Sequence, residues 1–373
     1  MKLREIGMLL AMTGVLCMTN ATAAEAGGPP TPKLERTISL GHAPLLGLGA
    51  LAGKFAPIVK KMSFSPDGRY LGLVETTSES ATDIVVWDIA ANKEQARIHC
   101  DFNYADLPWE KLLWLQGGKV VTFGDGAQWD AMSGKALPDN PARGRMARLN
   151  KDGTKMLGIS GTIGDPSTIF VYDTRTWVEH KIDVDGLYVG AAAWTADDKI
   201  IALVSETADS RGKVANGHDV KPYDTAIRLI DPSGKTSTRD VWFAGERTGN
   251  PQIPLRDAFS VESDMEPNFA KNEVFLDSGR VIDGTTLAVR PYALEETAGI
   301  AISPDGRWLF AKGMTSVDPT LKPVLNTIVD TASGRAISQF SGGMEHLGGI
   351  AASPNGQWLA IGDENSVFLF NLK

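Results

Sequence analysis

Histidine is scarce in this 373-residue chain: His42, His99, His180, His218 and His346 are spread along its length. None stands in an H-E-x-x-H pair, Cys17 and Cys100 lack zinc-ligand spacing, and no G-x-S-x-G elbow is present. Asp197-Asp198 and Glu295-Glu296 stand at expected turns or links, where solvation accounts for paired carboxylates. Asp264 and Glu266 could contribute to a calcium site, but the fixed EF-hand spacing is absent. The glycines of GISGTIG, 158–164, lead into no helix and so form no phosphate cradle. The expectation is no catalytic residue, no metal and no cofactor. An active site would need charged side chains brought together from distant parts of the chain.

Binding chemistry is better represented. The stretch ETADSRGKVANGHDVKPYDT, 206–225, carries both charge signs and an aromatic: Arg211, Lys213, His218, Asp219, Lys221 and Tyr223. Tyr104, Trp109, Arg247 and Arg256 lie in other polar connections. Trp, Tyr and Arg dominate interface energetics, so all ten are candidate contacts for a protein or peptide partner. Trp109 would serve equally well as a packing residue.

What positions these loops is a repeat. SPDGRYL from Ser65 returns as SPDGRWL from Ser303 and SPNGQWL from Ser353, at steps consistent with seven units of about 48 residues. Pro presets φ and Gly accepts positive φ, so each phrase reads as a tight turn between two short apolar strands. DIVVWD and the segment 95–99 add two more strands, giving a four-stranded antiparallel blade. Seven such blades make an all-β, seven-bladed β-propeller. The second unit is compressed and the fifth is weak, with its first strand placed near Phe259. The seventh has only three strands before the chain stops, so LERTISL, 34–40, is expected to supply the fourth and close the ring.

Gly41-His42, SPDG at Ser65 and Trp87-Asp88 follow one another as in a WD repeat, and Trp129-Asp130, Tyr172-Asp173, Ile230-Asp231, Val329-Asp330 and Phe370-Asn371 take the WD position in other units. On these residues the chain resembles divergent WD-repeat and YVTN-type bacterial propellers. The resemblance implies a structural, hydrogen-bonding His42. It also implies that Pro-Asp-Gly turns share one face of the disk while the insertions 75–82, 101–109, 206–225, 245–257 and 314–323 crowd the other. Loops on a rigid scaffold are where binding residues concentrate.

Lys2 and Arg4 precede an uncharged stretch, 6–18, and Ala21-Thr22-Ala23 offers a cleavage pattern, so residues 1–23 read as a secretory signal peptide. Cys17 follows Leu16 rather than a small residue, which argues against a lipid-attachment box. Residues 24–33 read as a flexible segment and 34–373 as one propeller domain. No segment reaches the roughly 20 apolar residues of a membrane span, and a formal charge of −8 disfavours nucleic acid. Cys100 has no intramolecular mate, so stability rests on packing. The sequence therefore points to an exported, periplasmic, monomeric scaffold binding a protein or peptide. The alternative is a lactonase-like or quinoprotein-like enzyme with its site at the central channel.

Overall fold

The computed structural model describes residues 28–40, 58–78, 81–100, 111–123, 126–142, 144–162, 164–233, 238–243, 264–292, 294, 297, 299–313, 325–342, 349–363 and 366–373. They form seven four-stranded antiparallel sheets, six with their strands in sequence order and the seventh completed by the N-terminal strand, and one two-stranded ribbon. The innermost strands are Ile58–Phe64, Leu113–Leu115, Arg145–Leu149, Tyr188–Trp194, Met265–Asn268, Gly299–Ile302 and Ile350–Ala352 for blades 1 to 7. Each neighbours the next, and the seventh neighbours the first, so the ring is closed. Lys33–Ser39 pairs antiparallel with Ser366–Asn371 and completes blade 7 as expected.

The recurring phrase is a hydrogen-bonded turn. Ser65 Oγ donates to Asp67 Oδ1 at 2.6 Å and accepts from the Tyr70 amide at 2.9 Å. Ser303 with Asp305 and Ser353 with Asn355 repeat this arrangement. Gly68, Gly306 and Gly356 have φ of 71°, 69° and 67°, the left-handed region in which a side chain is strained. The aspartates at or equivalent to the WD position act just as locally. Asp130, Asp173, Asp283 and Asp330 accept amide hydrogen bonds from the bend that follows the third strand.

Between the blades lies the core. Alternation along the strands sends Met62 and Phe64 of blade 1 into an apolar cluster with blade 7 and the closing strand, through Ile38, Trp358 and Leu369. A larger cluster joins blades 3, 4 and 5 around the fully buried Trp194. Trp114, Trp308 and Trp358 are buried as well, and so is Cys100. Among the described residues no helix is long and apolar enough to cross a membrane.

One reading of the sequence shifts. Blade 5 begins with Met265–Asn268, not near Phe259, which lies outside the described residues. His42 and His346 also lie outside them.

Candidate functional site

The insertion of blade 4 leaves strand Ile200–Ser205 and returns at Thr225–Ile230. Within it Val214–Ala215 and His218–Asp219 pair as a small ribbon, turned by Asn216 and Gly217 at φ of 46° and 83°. Its base is pinned by polar contacts in the interior. Thr207 and Ser210 exchange hydrogen bonds, and Thr207 Oγ1 also donates to the Gly186 carbonyl at 2.7 Å. His218 Nε2 lies 2.8 Å from the buried Asp224 carboxylate, which accepts the Lys221 amide at 2.9 Å. The His218 ring stacks on Trp242 of the outer strand, with centroids 4.2 Å apart. Arg211 makes a two-pronged pair with Glu206, at 2.7 and 2.9 Å, and the carboxylate also accepts the Tyr223 amide. Hydrogen bonding from Arg211 outweighs burial and holds the Glu206 carboxyl below its usual value.

The candidate contacts therefore divide. Arg211 and His218 are committed to holding the insertion in shape. Lys213 and Val214 line an open groove of about 750 Å³ whose opposite wall is the outer edge of blade 3, with Lys181, Asp183 and Asp185. Val214 is 64% exposed and Tyr223 is 44% exposed, among the most exposed large hydrophobic side chains described. Asp219 and Lys221 are exposed beside them. Tyr104, Trp109, Arg247 and Arg256 lie outside the described residues.

A second concavity lies on the propeller axis, where the enzymatic alternative put its site, and its basic residues Lys61, Lys111 and Arg148 were not among the sequence candidates. It encloses about 350 Å³ between the innermost strands of blades 1, 2, 3, 5, 6 and 7. Counting back from the residue that opens each hairpin turn (Ser65, Leu115, Asn150, Asn268), charged residues that line the axis stand at the second or fourth position. At those positions stand Lys61, Lys111, Arg148, Asp264 and Glu266. Arg148 Nη2 donates to Asp264 Oδ1 at 2.8 Å, and Lys111 Nζ lies 3.4 Å from Asp264 and 3.1 Å from Glu266. The two carboxylates are thus engaged by cations rather than arranged for calcium. Among the described residues no group of three or more His, Cys, Asp or Glu side chains is placed to hold a metal.

Electrostatics keeps Asp264 ionised. Burial opposes charge on Asp264, but Lys111, Arg148 and Lys61 outweigh it and hold its carboxyl far below the usual carboxylate range. Burial lowers Lys61 from the ordinary lysine value, opposed by Asp264 and reinforced by Lys111 and Arg148. Asp264 is therefore a poor proton donor near neutrality. Charged side chains do converge on the axis, as the enzymatic alternative requires, but among the described residues neither His nor Cys lines the cavity.

These features define a WD-repeat-like seven-bladed propeller with a built-up insertion. No family model and no curated protein sequence matches the chain. Among solved structures it is similar to the β-propeller domain of Cps50 (Swd1) from Myceliophteria thermophila, with a TM-score of 0.57 and 12% identity over 92% of this chain and 100% of that one. At that identity the likeness establishes the fold.

Proposed function

We propose that this chain is an exported, periplasmic propeller scaffold that binds a protein or peptide partner through the blade-4 insertion and the groove beside it. One observation carries the reading. A two-turn excursion from the blade is held rigid from within by His218, Asp224, Thr207 and Ser210, yet turns the apolar Val214 and Tyr223 outward. Apolar side chains fixed in an exposed position cost little entropy to bind. The lysines and aspartates along the groove supply a polar rim. Export is supported by Lys2 and Arg4, the uncharged 6–18 stretch and the Ala21-Thr22-Ala23 pattern. The same reading extends to Tyr104, Trp109, Arg247 and Arg256 in the other connections.

The test uses the full-length chain with a C-terminal tag, recovered from the cell envelope. A partner in stoichiometric amount should be lost from the Val214→Asp/Tyr223→Ala variant, which keeps the circular dichroism of the parent. Undiminished recovery with that variant overturns the binding surface. An unprocessed N-terminus, or residence in the cytoplasmic fraction, overturns export.

A further inference from the structure

Among its described lining residues the axial cavity carries more cations than carboxylates. Lys60, Lys61, Lys111 and Arg148 line it against Asp264 and Glu266. A register shift between Val59 and Lys61 inserts Lys60 as an extra residue, which lets two consecutive lysines line the same space. Lys111 and Arg148 are the cations paired with the two carboxylates. The Lys61 side chain makes no hydrogen bond or ion pair among the described residues, although Asp264 is its near neighbour. Arg148, its side chain nine-tenths buried, also keeps an Nε with no hydrogen-bond partner.

Room for a ligand is built in on the other side of the axis. Blades 6 and 7 place Gly299, Ala301, Gly349 and Ala351 at the positions where blades 1, 2, 3 and 5 carry charges. Small residues there add little bulk to the lining. Toward the hairpin turns the lining becomes apolar, with Leu149, Phe269, Ile302 and Pro354. A volume of about 350 Å³ falls within the range of small-molecule pockets.

We propose that the axial cavity binds a small amphipathic organic anion, a carboxylate or phosphate ester with an apolar body, whose head group is taken by Lys61 and whose body lies against Phe269 and Ile302. The excess of cations over carboxylates along the lining strengthens the field at the head group. This site is separate from the blade-4 groove and does not depend on it.

The experiment is calorimetric titration of the full-length protein with phenyl phosphate, 3-phenylpropionate and the neutral 3-phenylpropanol. At least one anion should bind, and the alcohol should bind at least about tenfold more weakly. Lys61→Gln should weaken anion binding about tenfold, while Lys61→Arg stays within about threefold of the parent. Ala351→Leu, which fills the space without touching a charge, should reduce binding as well. Melting temperatures of all three variants establish that they are folded. The proposal is overturned if neither anion binds at about millimolar concentration, if the alcohol binds as well as the anions, or if folded Lys61→Gln binds like the parent.

Discussion

Arg148 of blade 3 reaches Asp264 of blade 5 at 2.8 Å, passing over blade 4 to link two inner strands that are not neighbours in the ring. Apolar packing joins each blade to the next, but this pair ties the ring across its own axis. Removing Asp264 leaves Arg148, Lys111 and Lys61 without their shared counter-charge. Asp264→Asn should cost about 3 kcal/mol, the lower end for breaking a buried pair, because the carboxylate keeps a third of its side-chain surface accessible. Urea denaturation near neutral pH measures it.

The same carboxylate gives the stability a pH dependence. The folded state holds Asp264 below its usual value of 3.8, so the unfolded chain binds the proton more readily. The stabilisation is complete above about pH 5 and declines as pH falls through 3.8 toward the folded value. The gap between parent and Asp264→Asn should therefore narrow from pH 5 to pH 3. A constant gap in urea midpoints across that range would contradict it.

Arg228 and Asp240 present the buried pair without the axis. Both side chains are 2% exposed, and two hydrogen bonds of 2.9 and 2.7 Å join them across blade 4's third and fourth strands. Arg228→Met strands Asp240 and should cost about 3 to 5 kcal/mol. Adding Asp240→Leu should recover most of that loss, since a matched apolar pair no longer buries a lone charge. Thermal unfolding of the two variants decides it.

The turn glycines should not be equivalent, although the phrase repeats. All three have positive φ, which alone costs about 1 to 3 kcal/mol for another residue. A Cβ on Gly356 would meet nothing nearer than Pro304 at 3.9 Å, whereas on Gly306 it would lie 2.1 Å from Asn268 Oδ1 and 2.7 Å from Ala270 Cβ. Asn268 Nδ2 also donates to the Gly306 carbonyl at 2.9 Å, so it cannot move away freely. Gly306→Ala should lower the melting temperature clearly more than Gly356→Ala, and equal effects would show that the contact relaxes without cost.

Blade count, the closing strand and the turn role of SPDG were legible in the sequence because they depend on local chemistry repeated at a fixed interval. Blade 5's first strand was not. Its sequence, MEPN, presents Glu266 and, just before it, Asp264 to the axis rather than to the core, so the apolar alternation that marks the other inner strands is missing. The axial cluster was hidden for the related reason that Lys61, Lys111 and Arg148 each look like ordinary polar residues of separate strands. Only ring closure brings them together. Counting two and four residues back from each expected turn would have found them.

Closure itself is a final prediction. Lys33–Ser39 covers the outer edge of blade 7, and Ile38, 2% exposed, packs with Val59, Leu71 and Leu369 at the seam between the last blade and the first. Ile38→Asp puts a charge into that seam without removing the strand. Desolvating the carboxylate should cost several kcal/mol, enough to release the strand and expose the backbone groups of Ser366–Asn371 as a pairing edge. Light scattering on warming should then show association at a temperature well below that of the parent. Thr37→Asp, one residue away on the accessible face of the same strand, should leave that temperature nearly unchanged. A similar shift in both variants would mean that strand propensity, not the seam, holds the ring shut.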